Sequence, residues 1–228
     1  MSIMLNIDTA SEQAHVSFAI DGEPVHVLTS GSQKEHASFL QTAIQELVTI
    51  TGIPLAKLDA VALTAGPGSY TGLRVGMSSA KGLCYALNKP LITMGTLEVL
   101  TVSALDLFPA TDTNLRYCPM LDARRMEVFT AIYQHDLTAQ LAPCAMILDG
   151  SSFEKELAAH TIMFFGNGAG KWQTVCKHPN AVFENVPVSP KSMSKHSNFL
   201  FSKKIFAELA YSEPFYLKEF QTVSNNPA

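Results

Sequence analysis

A chain of 228 residues that is 47% hydrophobic can bury a sizeable core without metals or disulfides, and its four cysteines, Cys84, Cys118, Cys144 and Cys176, are too scattered for a zinc cluster or a disulfide framework. A net charge of -4 and a pI near 6.0 argue against a protein that grips a nucleic acid backbone by itself, since phosphate binding relies on clustered Lys and Arg; any RNA falls to a partner. No apolar run reaches the roughly 20 residues that span a bilayer, and the first residues lack the basic-then-apolar layout of a signal peptide, so a cytoplasmic protein without membrane contact is expected.

Along the chain, Ile3 to Ile7, His15 to Ile20 and Val25 to Leu28 read as three strands, with Asp21-Gly22 as a hairpin turn. Ser32 to Ile50 carries His36, Leu40, Ala43, Leu47 and Ile50 at alternating steps of four and three, the stripe of an amphipathic helix that Gly52 and Pro54 end. "LDAVALTAG" is a short continuous apolar run, the pattern of a strand buried on both faces. It leads into "AGPGSYTGLRVG" and a helix to Asn88, and "PLITMGTLEVLTVSAL" repeats strand then helix. The second half restarts the first: "YCPMLDARRMEVFTAIY" repeats the outline of "MLNIDTASEQAHVSFAI", with the boundary placed near Phe108 to Leu115. Later, Ser151 and Glu154 form a capping box for a helix to about His160, "TIMFFGNGAG" reads as a strand entering a glycine loop, and Ser192 to Ala210 as a final helix. The alternation predicts an α/β layered fold with mixed sheets.

The glycine motif fits no standard nucleotide loop. Five places after Gly66 stands Thr71 where a Walker loop needs glycine and then lysine, and Gly66, Gly68 and Gly72 miss the dinucleotide spacing by one. What remains is a helix N-terminus that receives an anion, or one capped internally by Ser69 or Thr71. The helix body has an apolar stripe (Leu73, Met77, Ala80, Cys84, Leu87), a polar stripe (Arg74, Ser78, Lys81, Tyr85, Asn88) and a third, small face (Gly72, Gly76, Ser79, Leu83, Ala86). The first and third together are wider than the roughly 100° that one sheet covers. A second neighbour is implied, either the preceding helix of the same chain or a helix of another subunit.

Asp8 and Asp122 each end the first strand of a repeat, where α/β enzymes place ligand-binding groups, or where a carboxylate caps a turn. Asp8 has Thr9 and Ser11 beside it; Asp122 is followed by Ala123, Arg124 and Arg125, with no hydroxyl or glycine. The arginines serve an acidic ligand or sit on a solvated turn. No histidine pair has HxxxH spacing and no GxSxG elbow is present, so zinc or serine hydrolysis is not expected.

"NIDTAS", "TAGPGSYTGLRVGMSSAKGLCYAL", "MGTLEVL", "LDARRMEVF" and "EPFYLK" together resemble the TsaB family, also called YeaZ, of bacterial tRNA-modification proteins. The resemblance covers nearly the whole chain and is weakest from Gln134 to Lys191. It implies a two-lobed actin-like, Hsp70-like (ASKHA) fold, each lobe a mixed sheet flanked by helices. The lobes are expected at residues 1–108, with the glycine motif and partner-binding helices, and 109–228, whose last helix packs back on the first lobe. It also implies a noncatalytic scaffold for forming N6-threonylcarbamoyladenosine beside the tRNA anticodon. Such a scaffold binds the catalytic relative TsaD, with the ATPase TsaE, or a second copy of itself when alone, and meets tRNA only indirectly. The catalytic relative has an HMEGH-like metal site; here the corresponding run is "TLEVL", with Thr96 and Leu100 where the histidines would stand. No metal is expected, and no cofactor beyond a weakly held ATP or ADP. The interface is expected at His36, Leu40, Ala43, Leu47, Tyr70, Gly72, Leu73, Gly76, Met77 and Ala80, and a vestigial phosphate site at Asp8, Thr9, Ser11, Gly66, Gly68 and Ser69. The alternatives kept open are an ATP-binding phosphotransferase or ATPase of the same fold and, further off, a metallopeptidase-like protein.

Overall fold

The computed structural model describes residues 1–31, 36–109 and 114–218, with His36 as backbone alone. The expected helix start at 32–35 and part of the expected boundary, 110–113, lie outside the described residues. β1 (Ile3–Asp8), β2 (His15–Ile20) and β3 (Glu23–Thr29) form an antiparallel meander. Asp21 and Gly22 turn it with φ of +49° and +83°, the left-handed pair that a two-residue hairpin prefers. After α1 (His36–Thr51) and a 3-10 turn at Leu55–Lys57, β4 (Ala60–Gly66) lies parallel to β1. α2 (Tyr70–Leu87) then returns the chain to β5 (Leu91–Gly95), parallel to β4. The order is β3-β2-β1-β4-β5.

α3 (Thr96–Leu107) leads into β6 (Leu115–Asp122), β7 (Glu127–Tyr133), β8 (Ala139–Ile147), α4 (Glu154–Ala159), β9 (Thr161–Phe165), α5 (Ala169–Val175), β10 (Ala181–Phe183) and α6 (Pro190–Ser202). Their sheet runs β10-β9-β6-β7-β8, antiparallel through β6, β7 and β8 and parallel through β6, β9 and β10. The second unit therefore repeats the first element for element. Its two edge strands escaped the sequence reading for a physical reason: β8 has no fully buried position and carries Pro143, and β10 is three residues long, so neither shows apolar alternation.

Two expected elements are corrected. Ser151 does not cap α4; its amide and hydroxyl both donate to Asp149, and the helix starts behind Phe153, held at φ +60° with its ring against Phe164 and Trp172. Burial of that ring and the competing Asp149 turn outweigh a cap on the surface. The final helix ends at Ser202 rather than Ala210: Ser189 caps it, Pro190 opens it, and beyond it the Ala207 amide donates to the Leu91 carbonyl at 2.8 Å. The open edge of β5 takes the backbone that a longer helix would have consumed.

α1 and α2 cover one face of the first sheet. The other face is met by Val99 of α3 and by Met193 of α6, packed on Met4, Ala60, Ala62, Ile92 and Met94. α3 also contacts the second sheet, through Leu97, Leu100 and Ala104 against Tyr117, Ala131 and Phe165. It is thus the hydrophobic hinge-piece between the units. α6 adds buried polar ties: Ser197 Oγ donates to Asn6 Oδ1 at 2.6 Å, and Asn6 Nδ2 donates to Ser194 Oγ at 3.2 Å.

α3 and α6 are further joined where His196 Nε2 meets Glu98 Oε1 at 2.8 Å. Burial pushes the Glu98 carboxyl up, but His196 and the Gly95 amide outweigh it and leave it below its usual range. An ionised form favoured by folding adds stability above the unfolded value of 4.5, and that contribution disappears as pH falls through the lower folded value. Urea denaturation should therefore show wild type losing stability more steeply than Glu98→Gln between about pH 6 and 3. Parallel curves would show that the pair is not coupled to folding.

Candidate functional site

β4 runs into a turn ending at Ser69, whose Oγ accepts the Gly72 amide at 3.2 Å and caps α2. The residues that follow β1 are seated directly on this turn. The Ser69 amide donates to the Ala10 carbonyl at 2.7 Å, and Thr9 Oγ1 donates to the Gly72 carbonyl at 2.7 Å. A Cβ on Gly76 would run into Thr9 Oγ1, and one on Gly68 into the Ala10 carbonyl; only glycine lets the two segments approach this closely. Asp8 is 1% exposed, its Oδ1 accepting from the Ala10 amide at 3.0 Å and from Thr64 Oγ1 at 2.7 Å. Ser11 Oγ donates to the Gln13 carbonyl, and Gly66, at φ +123°, abuts the Phe215 carbonyl. The structure brings the six residues expected at a phosphate together, with Thr9 Oγ1, Asp8 Oδ1, Ser11 Oγ and the Oγ and amide of Ser69 all bonded within the chain.

The residues expected to meet a partner are placed differently. Leu40, Ala43, Leu47, Gly72, Leu73, Gly76, Met77 and Ala80 are all buried within the single chain, five of them in the cluster around Leu5, Ile7, Val16 and Leu63. Tyr70 is half-buried, and the His36 side chain lies outside the described residues. This corrects the assignment: those side chains are the stripe that α1 and α2 bury on their own sheet. The second neighbour that α2 demanded is also internal, with Thr9 over its glycines and α1 beside it, where Gln41 Nε2 donates to Ser79 Oγ at 2.8 Å. The outward residues include Thr42, Gln45 and Glu46 of α1 and Thr71, Ser78, Gly82, Tyr85 and Ala86 of α2. Tyr85 is 84% exposed, and a Cβ on Gly82 would meet nothing within 4 Å. A groove of about 250 Å³ runs beside them, lined by Ser38, Phe39, Thr42, Ala43 and Glu46.

The chain after α6 forms a strap along α2 that the sequence reading did not anticipate, although it singled out "EPFYLK". Lys81 Nζ donates to the Ala210 and Ser212 carbonyls at 3.1 and 2.8 Å, and the Phe215 amide donates to the Ala65 carbonyl at 2.7 Å. Tyr216 packs on Tyr70 with ring centroids 5.1 Å apart and accepts from Arg74 Nε at 3.1 Å. Lys218 then pairs with Glu127 of β7 in the second unit. The strap thus ties the glycine turn of the first unit to the strand ends of the second.

At those strand ends Asp122 is exposed where its counterpart Asp8 is buried. Lys171 Nζ lies 2.8 Å from its Oδ1, which also accepts the Arg124 amide at 2.6 Å. Partial burial pushes the carboxyl up, but these donors hold it below its usual range. The hairpin between β6 and β7 is turned by Arg124 and Arg125 at φ +70° and +44°, a left-handed geometry that costs a residue with a Cβ about 1–2 kcal/mol each time. Among the described residues no group of three His, Cys, Asp or Glu side chains is placed to hold a metal. Thr96 and Leu100 are buried, with Thr96 Oγ1 lacking a hydrogen-bond partner; an alcohol and an alkyl chain are not a ligand pair for a metal such as zinc. A cavity of about 380 Å³ lies around the end of α5, lined by Leu157, Trp172, Cys176 and His178 among others, away from both strand ends. No helix among the described residues is long and apolar enough to cross a membrane.

Residues 27–212 match the family described as TsaD, tRNA N6-adenosine threonylcarbamoyltransferase. Over 133 residues the chain is 35% identical to the tRNA threonylcarbamoyladenosine biosynthesis protein TsaB of Escherichia coli K12, covering 58% of this chain and 55% of that protein; the chain therefore spans about half the length of this curated relative. Among solved structures, a Pseudomonas aeruginosa protein described as similar to peptidase YEAZ superposes with a TM-score of 0.79 at 23% identity, over 96% of this chain and all of the other. An inorganic polyphosphate/ATP-glucomannokinase from Arthrobacter sp. strain KM reaches 0.51 at 10% identity, over 90% of this chain and all of the other. The architecture is that of the two-lobed actin-like (ASKHA) fold.

Because Gly76 faces Thr9, a bulky residue there attacks the fold itself and not a partner surface alone. Gly76→Leu should lower stability by about 1–3 kcal/mol or more in chemical denaturation. Thr9→Gly should recover part of the smaller loss caused by Gly76→Ala, which a double-mutant cycle measures as coupling between the two sites. Strict additivity would show that the contact carries no energy.

Proposed function

The chain belongs to the family of tRNA N6-adenosine threonylcarbamoyltransferases, and on that footing we propose that it is a noncatalytic scaffold subunit for making N6-threonylcarbamoyladenosine beside the tRNA anticodon. Its TsaB relative is named for tRNA threonylcarbamoyladenosine biosynthesis; in this reading the chain acts there by binding a TsaD-like catalytic subunit together with a TsaE-like ATPase, in the cytoplasm, and pairs with a second copy when the catalytic subunit is missing. The two lobes divide near residue 108, and the family reading has tRNA met only indirectly, through the partner.

The observation that carries the proposal is the fate of Asp8 and Thr9. A phosphotransferase of this architecture would direct the strand-end carboxylate and its hydroxyl at phosphate and magnesium. Here both are 1% exposed and bonded to Ala10, Thr64 and Gly72, so a nucleotide is at most weakly held. The surface left for a partner is the outward side of α1 and α2. Its small residues, Ser78, Gly82 and Ala86, allow another helix to approach closely, and the groove by Phe39 and Thr42 accepts side chains from it.

Depletion of the protein followed by nucleoside analysis of bulk tRNA should show loss of the modified adenosine; an unchanged level would sink the pathway assignment. The surface is tested by Gly82→Arg. Its side chain enters open space, so the melting temperature should be kept, while affinity for the TsaD-like partner falls about tenfold or more, equal to about 1.4 kcal/mol. Equal affinity for both forms would remove α2 from the interface.

A further inference from the structure

We infer that the β6–β7 turn, Arg124 and Arg125, is a contact point for the phosphate backbone of the RNA, an inference that rests on the tRNA-modifying role proposed above. Both arginines are exposed, and among the described residues neither guanidinium has a partner. The carboxylates on either side of them are already taken: Asp122 pairs with Lys171 at 2.8 Å, and Glu127 pairs with Lys218. Lys171 also donates to the Glu127 carbonyl at 3.2 Å, so the base of the turn is locked. Two cations therefore project, unneutralised, from a chain whose net charge is -4.

The backbone beneath them is poorly suited to arginine. Two successive residues with φ of +70° and +44° form a turn in which Asn and Gly would sit with less strain, and residues held in such geometry are concentrated where a side chain is needed for binding. Neither cavity described above includes the turn, and a small nucleotide requires a concave site that buries most of its surface. An acidic patch on a protein is also a weak match, since exposed ion pairs between proteins gain little. A polyanion differs: each exposed arginine that meets a phosphate releases condensed counterions, which favours binding without burial, and the guanidinium fork fits phosphate oxygens in two-point contact.

The test titrates an unmodified tRNA transcript with the full chain between about 50 and 200 mM KCl and reads the slope of log K against log salt. Arg124→Gln/Arg125→Gln should reduce the magnitude of that slope by about 1.4–1.8, the value for two lost phosphate contacts, and Arg124→Lys/Arg125→Lys should keep it. Arg124→Asn/Arg125→Gly should reduce the slope as the Gln pair does while raising the melting temperature, because the strain is relieved. This last variant keeps the test decisive if the Gln pair folds poorly. No RNA association by wild type at low salt, or equal slopes for wild type and the Gln and Asn/Gly variants, would overturn the inference. So would weaker association of the Gln variant with the TsaD-like partner at an unchanged RNA slope, which would assign the turn to an acidic protein surface. Failure of this kind beside a depletion phenotype in tRNA would leave the proposed function standing and remove only the RNA contact.

Discussion

The seating of Thr9 and Ala10 in the glycine notches of α2 is the constraint from which the rest of the site follows. With Thr9 Oγ1 on the Gly72 carbonyl and the Ser69 amide on the Ala10 carbonyl, α2 is fixed in rotation about its own axis. Leu73, Met77 and Ala80 must then face the core, and Gly82 and Tyr85 must face out. The same contacts occupy the polar groups of Thr9, Ala10 and Ser69 within the chain. Orientation of the helix and the close seating of the segment after β1 are thus one event, because both use the absence of a Cβ at Gly68 and Gly76.

The duplicated frame shows how one architecture can be used in two ways. Both units place an aspartate at the end of their first strand and a glycine turn against it, with Gly168 crowding the Asp122 amide as Gly68 crowds Ala10. The first unit buries its aspartate and carries a helix of 18 residues beyond the turn, whereas the second exposes its aspartate and has only 7 residues in the matching helix. A long helix has an outward face to offer; a short one leaves the strand ends and their hairpin uncovered. Exposed charge accordingly gathers at the second unit's turn, and small outward residues gather on the first unit's helix.

Three devices hold the units to each other, and each has its own chemistry. α3 contributes apolar side chains to the cores of both sheets. α6 uses serines and Asn6 in buried hydrogen bonds, which are directional and so specify one docking of a helix of low hydrophobicity. The strap uses main-chain bonds to Ala65 and Leu91 and ends in the surface pair between Lys218 and Glu127. The first two bury their contacts, while the third ends at the solvent, where a single pair contributes little by itself.

The sequence by itself determined the strands of the first meander, β6 and β7 of the second, the buried β4, the length of α2 and the duplication, because each is written in local periodicity or in a turn residue. Only the tertiary structure decided which side of α1 and α2 faces outward. A helical stripe records that Leu40, Leu73 and Met77 need burial, but not whether a sheet or a partner supplies it. The edge strands β8 and β10, the shortened final helix and the strap were likewise beyond the sequence, because their stability comes from pairing with distant backbone at strand edges and not from the residues' own pattern. Asp8 and Asp122 hold equivalent places in the chain. Long-range contacts with Thr64 and Lys171 accompany the burial of one and leave the other beside two arginines that have no partner among the described residues.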